Sequence, residues 1–182
     1  MHIAMTKGKL EMTDERSVSV VLLFGSDDAE ARDIVGRAID IVGLAVGRIV
    51  RCSEEYTTEA YGFTSERMFV NRAVQIVTRY DAYEVLRRIN LIEALLGRDR
   101  ESERRIQRER NEAYASRAID IDIIFYGSET FSDERLTIPY HFLAERGYAL
   151  RPVVDVAPDF KHPALERTPE EMLRMLDSNT TC

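Results

Sequence analysis

The chain has 182 residues, 45% of them apolar, which allows one domain with a substantial core. No apolar run approaches the roughly 18 residues of a membrane-spanning helix. The net charge of −7 argues against the broadly basic face that duplex nucleic-acid binders need, although a small anionic ligand requires only local positive charge. Cys52 and Cys182 lie far apart, which excludes a disulfide scaffold or zinc-site spacing and fits a reducing, cytoplasmic setting.

Residues 1–16 mix charges without an apolar stretch, so they read as a flexible N-terminal arm rather than a secretory signal, with a single domain over 17–182. SVSVVLLF (17–24) reads as a buried strand ended by Gly25-Ser26. Between Asp28 and Leu44, Ala31, Ile34, Val35, Ala38, Ile39 and Val42 recur at helical spacing. A second strand is predicted through 47–58 and a third over MFVNRAVQIVT (68–78). Asp81 and Glu84 then form a capping-box pattern. The helix they open carries Val85, Leu86, Ile89, Ile92, Leu95 and Leu96 on one side and stops at Gly97. A long polar, arginine-rich stretch occupies 98–116, followed by a strand at RAIDIDIIFYG (117–127) and a hairpin-like piece leading to Leu136. Thr168-Pro169-Glu170-Glu171 is a second capping box, opening a last short helix. The order strand, helix, strand, strand, helix, strand is the split βαβ pattern. It predicts an α+β, ferredoxin-like fold with a mainly antiparallel sheet covered by helices.

The strand at 117–127 carries the chemistry. Side chains alternate along a strand, so Ile119, Ile121, Ile123 and Phe125 are expected to face a core, with Asp120 and Asp122 together on the other face. Adjacent carboxylates raise each other's pKa unless a cation compensates, and Mg²⁺ prefers such oxygen ligands. The spacing alone leaves a metal site and a solvated face both open. The rarity of aspartate inside strands favours the site, although nucleotidyltransferases and glycosyltransferases also use D-x-D. Arg98, Arg100, Arg117 and Arg146 flank this strand in sequence or belong to nearby motifs; their planar forks match phosphate oxygens and suit polyphosphate transfer beside a metal. Arg104, Arg105, Arg108 and Arg110 alternate with glutamates and read as a solvated, self-paired face. Phe69 and Asn71 share a strand face, offering a stacking surface and an amide for the edge of a flat heterocycle, although Phe69 taken alone reads as core.

In chain order, FGS (24–26), Ser53-x-x-Tyr56-x-Thr58, Gly62, FVN (69–71), EALLGRDR (93–100), RAIDIDIIFYG, ERLTIP (134–139), RGYAL (146–150) and PVVDVAPD (152–159) resemble the 6-hydroxymethyl-7,8-dihydropterin pyrophosphokinases, small folate-pathway enzymes. The resemblance spans nearly the whole chain after residue 17 and is most specific at the D-x-D strand with its preceding arginine. It implies direct transfer: the pterin hydroxymethyl oxygen attacks the β-phosphorus of ATP, and AMP leaves. It also implies two Mg²⁺ ions on Asp120 and Asp122, catalytic Arg98 and Arg117 on the phosphates, and Asp120 close enough to the pterin to accept the hydroxyl proton. ATP contacts are implied at Leu86, Asn90, Glu93, Arg100, Ile123, Arg135, Thr137, Tyr140, His141 and Arg146. Phe69 and Tyr148 would sandwich the pterin, Asn71 would read its edge, and Thr58 and Tyr61 would contact it through the backbone. A cytoplasmic monomer with small-molecule substrates, and neither nucleic-acid nor membrane partners, is the expectation.

The sequence departs from the family pattern at four places. Asp27 stands where asparagine is usual, and Ala60 replaces a usual proline. Pro139-Tyr140-His141 reverses the usual placing of histidine directly after proline. The arginine-rich loop, which in the family closes over the substrates, is longer and ends in Tyr114-Ala115-Ser116 instead of Trp-Gly-Pro. Two rival readings follow. A D-x-D nucleotidyltransferase is disfavoured because Gly25-Ser26 and Asp120 are about 95 residues apart, whereas that class keeps the pair close. A degenerate family member would bind pterin or nucleotide without turnover.

Overall fold

A computed structural model of the chain describes residues 17–59, 67–110 and 117–180. Its elements in order are β1 (Val18–Ser26), α1 (Ala31–Ala45), β2 (Arg48–Cys52), β3 (Tyr56–Thr58), β4 (Phe69–Thr78), α2 (Ala82–Leu95), α3 (Arg100–Arg110) and β5 (Asp120–Tyr126). A small hairpin follows, β6 (Phe131–Ser132) with β7 (Thr137–Ile138), then a 3-10 turn at Leu143–Glu145, α4 (Gly147–Val156) and α5 (Pro169–Thr180). The sheet order is β2-β4-β1-β5, with β3 also on the outer edge of β4, and every pairing is antiparallel. This is the ferredoxin-like arrangement that the element order predicts. The arm expected over residues 1–16 lies outside the described residues.

Both faces of the sheet are covered, which explains why β1 is apolar on both sides. One face seals Val20, Leu22 and Phe24 against Val35, Ala38 and Val42 of α1 and Val85 and Ile89 of α2. The other packs Val21, Leu23 and Ala73 under Leu150 and Val153 of α4 and Met172 of α5. The six apolar residues predicted for α1 are all buried. Asp81 caps α2, its Oδ1 accepting from the Glu84 N–H at 2.9 Å, while the Glu84 carboxylate binds Arg87 and Arg88. The capping box of α5 forms in both directions: Thr168 N–H donates to Glu171 at 2.9 Å, and Glu171 N–H to Thr168 Oγ1 at 3.2 Å.

Several expectations are corrected. The strand predicted over 47–58 breaks into β2 and β3. Cys52 pairs with Val74 and Tyr56 with Asn71, so four steps along one chain oppose three along the other. Ser53 bridges the break: its N–H donates to Ala73 O, and its Oγ accepts from Ala73 N–H, both at 2.9 Å. Leu95, expected on the core side of α2, is 72% exposed, because the buried stripe runs through Val85, Ile89, Ile92 and Leu96. The polar stretch after Gly97 is largely helix, α3. Asp99 starts it, accepting from the N–H groups of Glu101 and Ser102 at 3.0 and 3.1 Å. It has no apolar stripe to betray it. Helix α4 contains Pro152, which forfeits one bond to the preceding turn and hides the helix from a propensity reading.

The alternation expected on β5 also fails at one point. Val21 pairs with Phe125 but Leu22 with Ile123, so Ile124 is an extra residue, a β-bulge. Ile119, Ile121 and Ile123 face α1 and α2 as expected, whereas Phe125 turns to the α4 side beside Phe160, 4.2 Å between ring centroids. Asp120 and Asp122 precede the bulge and keep the face predicted for them.

Candidate functional site

The site forms on the α4 face of the sheet, beyond the point where the helices stop covering it. Register places Asn71, Gly25 and Asp120 in one row across β4, β1 and β5, and Ala73, Leu23 and Asp122 in the next. Gly25 keeps this floor flat, since a Cβ there would stand 3.3 Å from Asn71 Oδ1. Asn71 is 3% exposed, and its amide donates to Thr58 Oγ1 at 3.0 Å. Phe69 and Tyr148 rise over the floor with Tyr140, whose hydroxyl lies 3.4 Å from that of Tyr148. Phe69, Asn71, Tyr148, Thr58, Arg117, Asp120 and Asp122 thus line a single pocket, together with Leu23, Gly25, Glu59 and Tyr140.

An ionic network adjoins the pocket. Arg117 Nη1 donates to Asp120 Oδ2 at 2.7 Å, and Arg98 Nη1 to Asp120 Oδ1 at 2.5 Å. Glu93, 1% exposed at the end of α2, holds the network from below. Its Oε1 accepts from Arg98 Nη1 at 2.6 Å and from the Ile121 N–H at 2.8 Å, between the two aspartates. Its Oε2 accepts from Arg100, which also reaches Asn90 at 2.9 Å. Burial pushes the Glu93 carboxyl above its usual range, with Arg98 opposing that shift. Burial would lower the pKa of Arg98, but Asp120 and Glu93 outweigh it and hold the guanidinium more firmly charged than usual. Burial, then the charge of Asp120, raises Asp122 well above the ordinary carboxylate range, with Arg117 opposing.

Among the described residues, no group of three or more His, Cys, Asp and Glu is placed to hold a metal. The donor set nevertheless fits Mg²⁺. That ion takes one or two carboxylates and completes its shell with waters and substrate phosphates, and a buried aspartate beside a second one favours a cation.

The remaining expected contacts spread around the network. Ile123 belongs to the core under α2, Leu86 is partly buried against that core, and Arg135 sits over the Tyr83 ring of α2, 5.4 Å from its centroid. Thr137 lies on β7. Tyr140, expected among the ATP contacts, lines the pocket with Tyr148, while His141 is exposed and lies against the Phe142 ring, 4.8 Å between centroids. Arg146 stacks on Phe142 at 5.0 Å. Tyr61, Ala60 and the 114–116 departure lie outside the described residues. The Asp27 departure is compatible with the site: its Oδ1 accepts from the Arg117 N–H at 2.9 Å, a role an asparagine oxygen also fills. Glu59 is a pocket wall with no sequence signal beyond its adjacency to Thr58, and Tyr140, expected as an ATP contact, also stands at the aromatic wall.

Fold and site together define a ferredoxin-like domain that sets an acid–arginine cluster against an aromatic pocket. The chain belongs to the 7,8-dihydro-6-hydroxymethylpterin-pyrophosphokinase family, whose sequence profile matches residues 21–158. It is 35% identical, over 74% of its length and 80% of the relative's, to the 2-amino-4-hydroxy-6-hydroxymethyldihydropteridine pyrophosphokinase of Methylorubrum extorquens. It is 29% identical to the folic acid synthesis protein fol1 of Schizosaccharomyces pombe over 86% of this chain, which spans 21% of that longer protein. The crystal structure of wild-type Plasmodium falciparum HPPK-DHPS shares the fold at a TM-score of 0.71 and 17% identity, covering 91% of this chain and 46% of that one. No helix among the described residues is long and apolar enough to cross a membrane.

Proposed function

We propose that this chain transfers pyrophosphate from ATP to 6-hydroxymethyl-7,8-dihydropterin in folate synthesis, giving AMP and the pterin pyrophosphate. The observation that carries this reading is the continuity of one pocket, from an aromatic and amide wall (Phe69, Tyr148, Asn71) to a floor bearing Asp120, Asp122 and Arg117. A flat heterocycle between Phe69 and Tyr148 would direct its substituent toward the aspartates. Asn71, fixed by Thr58, would read the ring edge.

Arg98 and Arg117 would bind the phosphate oxygens and stabilise charge as the bond between the β-phosphorus and the α-phosphate oxygen breaks. Asp120 and Asp122 would hold two Mg²⁺ ions, which when bound supply charge neutralisation and alignment at the phosphates. Asp120 is also the proposed acceptor of the hydroxyl proton. The adenosine would lie toward Leu86, Asn90, Arg135 and Thr137, on the α2 side of the network, and fixing both substrates would account for much of the rate by positioning.

The test is a nucleotide-product assay with ATP, Mg²⁺ and the hydroxymethyl pterin. AMP formed only when the pterin is present supports the proposal. Pterin binding with no AMP would refute it and leave the chain a binding module.

A further inference from the structure

Arg98 is 6% exposed, against 15% for Arg117 and 49% for Arg100, and acidic groups surround it. Its Nη1 serves Glu93 and Asp120. Its other edge, Nε and Nη2, faces the Glu103 carboxylate at 3.0 and 3.3 Å. That edge presents two parallel N–H groups, the geometry that takes a phosphate bidentately. Glu103 therefore occupies the place a phosphate oxygen pair would take.

The three acids differ in how firmly they are held. Glu93 is 1% exposed and also binds the Ile121 backbone, and Asp120 is shared with Arg117 on β5. Glu103 sits on α3, where none of residues 100–109 is buried, so polar contacts rather than a core hold that helix in place. Of the three partners, Glu103 is the one that can yield without disturbing the sheet.

We infer that Glu103 is a positioning residue that holds Arg98 in place and competes with nucleotide phosphates for it, thereby setting nucleotide affinity. This rests on the assignment of Arg98 to the phosphates under the proposed function. Removing the charge of Glu103 has an unusual expected sign, since it should tighten binding.

The experiment is titration calorimetry of the full chain with α,β-methylene-ATP and Mg²⁺, comparing wild type, Glu103→Gln, Arg98→Ala and the double variant. Glu103→Gln should bind on the order of fivefold more tightly, with the KM for ATP falling in parallel and that for the pterin unchanged. The double variant should bind no more tightly than Arg98→Ala. Glu101→Gln removes an equal charge from the same helix, at an exposed position, and should change little because salt screens it. Unchanged or weaker binding by Glu103→Gln, or tightening that persists without Arg98, overturns the inference. The expected shifts without AMP formation would refute the reaction and leave the inference standing. No nucleotide binding by any of the four proteins overturns both.

Discussion

Replacing Glu93 with alanine tests the idea that one buried carboxylate organises the site. Glu93 is 1% exposed and accepts from Arg98, Arg100 and the Ile121 N–H, so its loss strips a partner from two guanidiniums and a buried backbone donor. Removing one partner of a buried ion pair costs roughly 3–5 kcal/mol. Arg98 keeps Asp120 and Glu103, and Arg100 keeps Asn90, which places the loss at the lower end, about 3 kcal/mol. In a domain of this size each kcal/mol moves Tm by about 2–4 °C, so a fall of about 6–12 °C is expected. Calorimetric or circular-dichroism melts would measure it, with exposed Glu101→Ala as a control expected to stay within about 0.5 kcal/mol of wild type. A fall below about 3 °C would show that the arginines re-pair or reach water at little cost, and would refute the role given to Glu93.

Asp122→Ala should leave Tm at or above the wild-type value, because a carboxyl raised by burial opposes folding at neutral pH, while turnover drops by at least about a thousandfold, because metal-assisted charge stabilisation contributes several kcal/mol; near-normal turnover would remove Asp122 from the metal site. Phe69→Ala should raise the KM for the pterin by about tenfold and leave that for ATP almost unmoved. Equal losses for both substrates would mean that Phe69 serves packing alone. His162 is 7% exposed, and its Nδ1 accepts from the N–H groups of Ala164 and Leu165 at 3.2 and 3.1 Å, so it must be neutral there. Burial lowers its pKa, so the unfolded chain takes up the proton first, and stability present above about pH 6.5 is lost as pH falls from there toward the depressed folded value. Denaturant midpoints at successive pH values should show this decline in wild type and a shallower one in His162→Gln; parallel curves would exclude His162 as its source.

Much of the fold was legible because local patterns and tertiary burial agree. The 3.6-residue spacing of Ala31 to Val42, the Asp81 cap and the capping box at Thr168 are short-range signals that packing had no reason to override. The elements that escaped detection lacked such signals. Helix α3 has no apolar stripe, and α4 carries a proline that the sheet contact outweighs. The direction of Phe125 depended on one inserted residue, Ile124, and a bulge is a property of two strands in register rather than of one strand's sequence.

For the site, the sequence by itself determined the D-x-D pair on one face, the pairing of Phe69 with Asn71, and the arginines on either side. These follow from strand periodicity and side-chain chemistry, which need no partner to be read. Only the tertiary structure decided that Asn71, Gly25 and Asp120 form one row, that Tyr140 joins Tyr148 at the pocket wall, and that Glu93 and Glu103 share Arg98 with Asp120. Those are contacts between residues distant in sequence, set by strand register and by how α2 and α3 meet the sheet. No local pattern encodes them, because their geometry exists only once the antiparallel pairing of β4, β1 and β5 has formed.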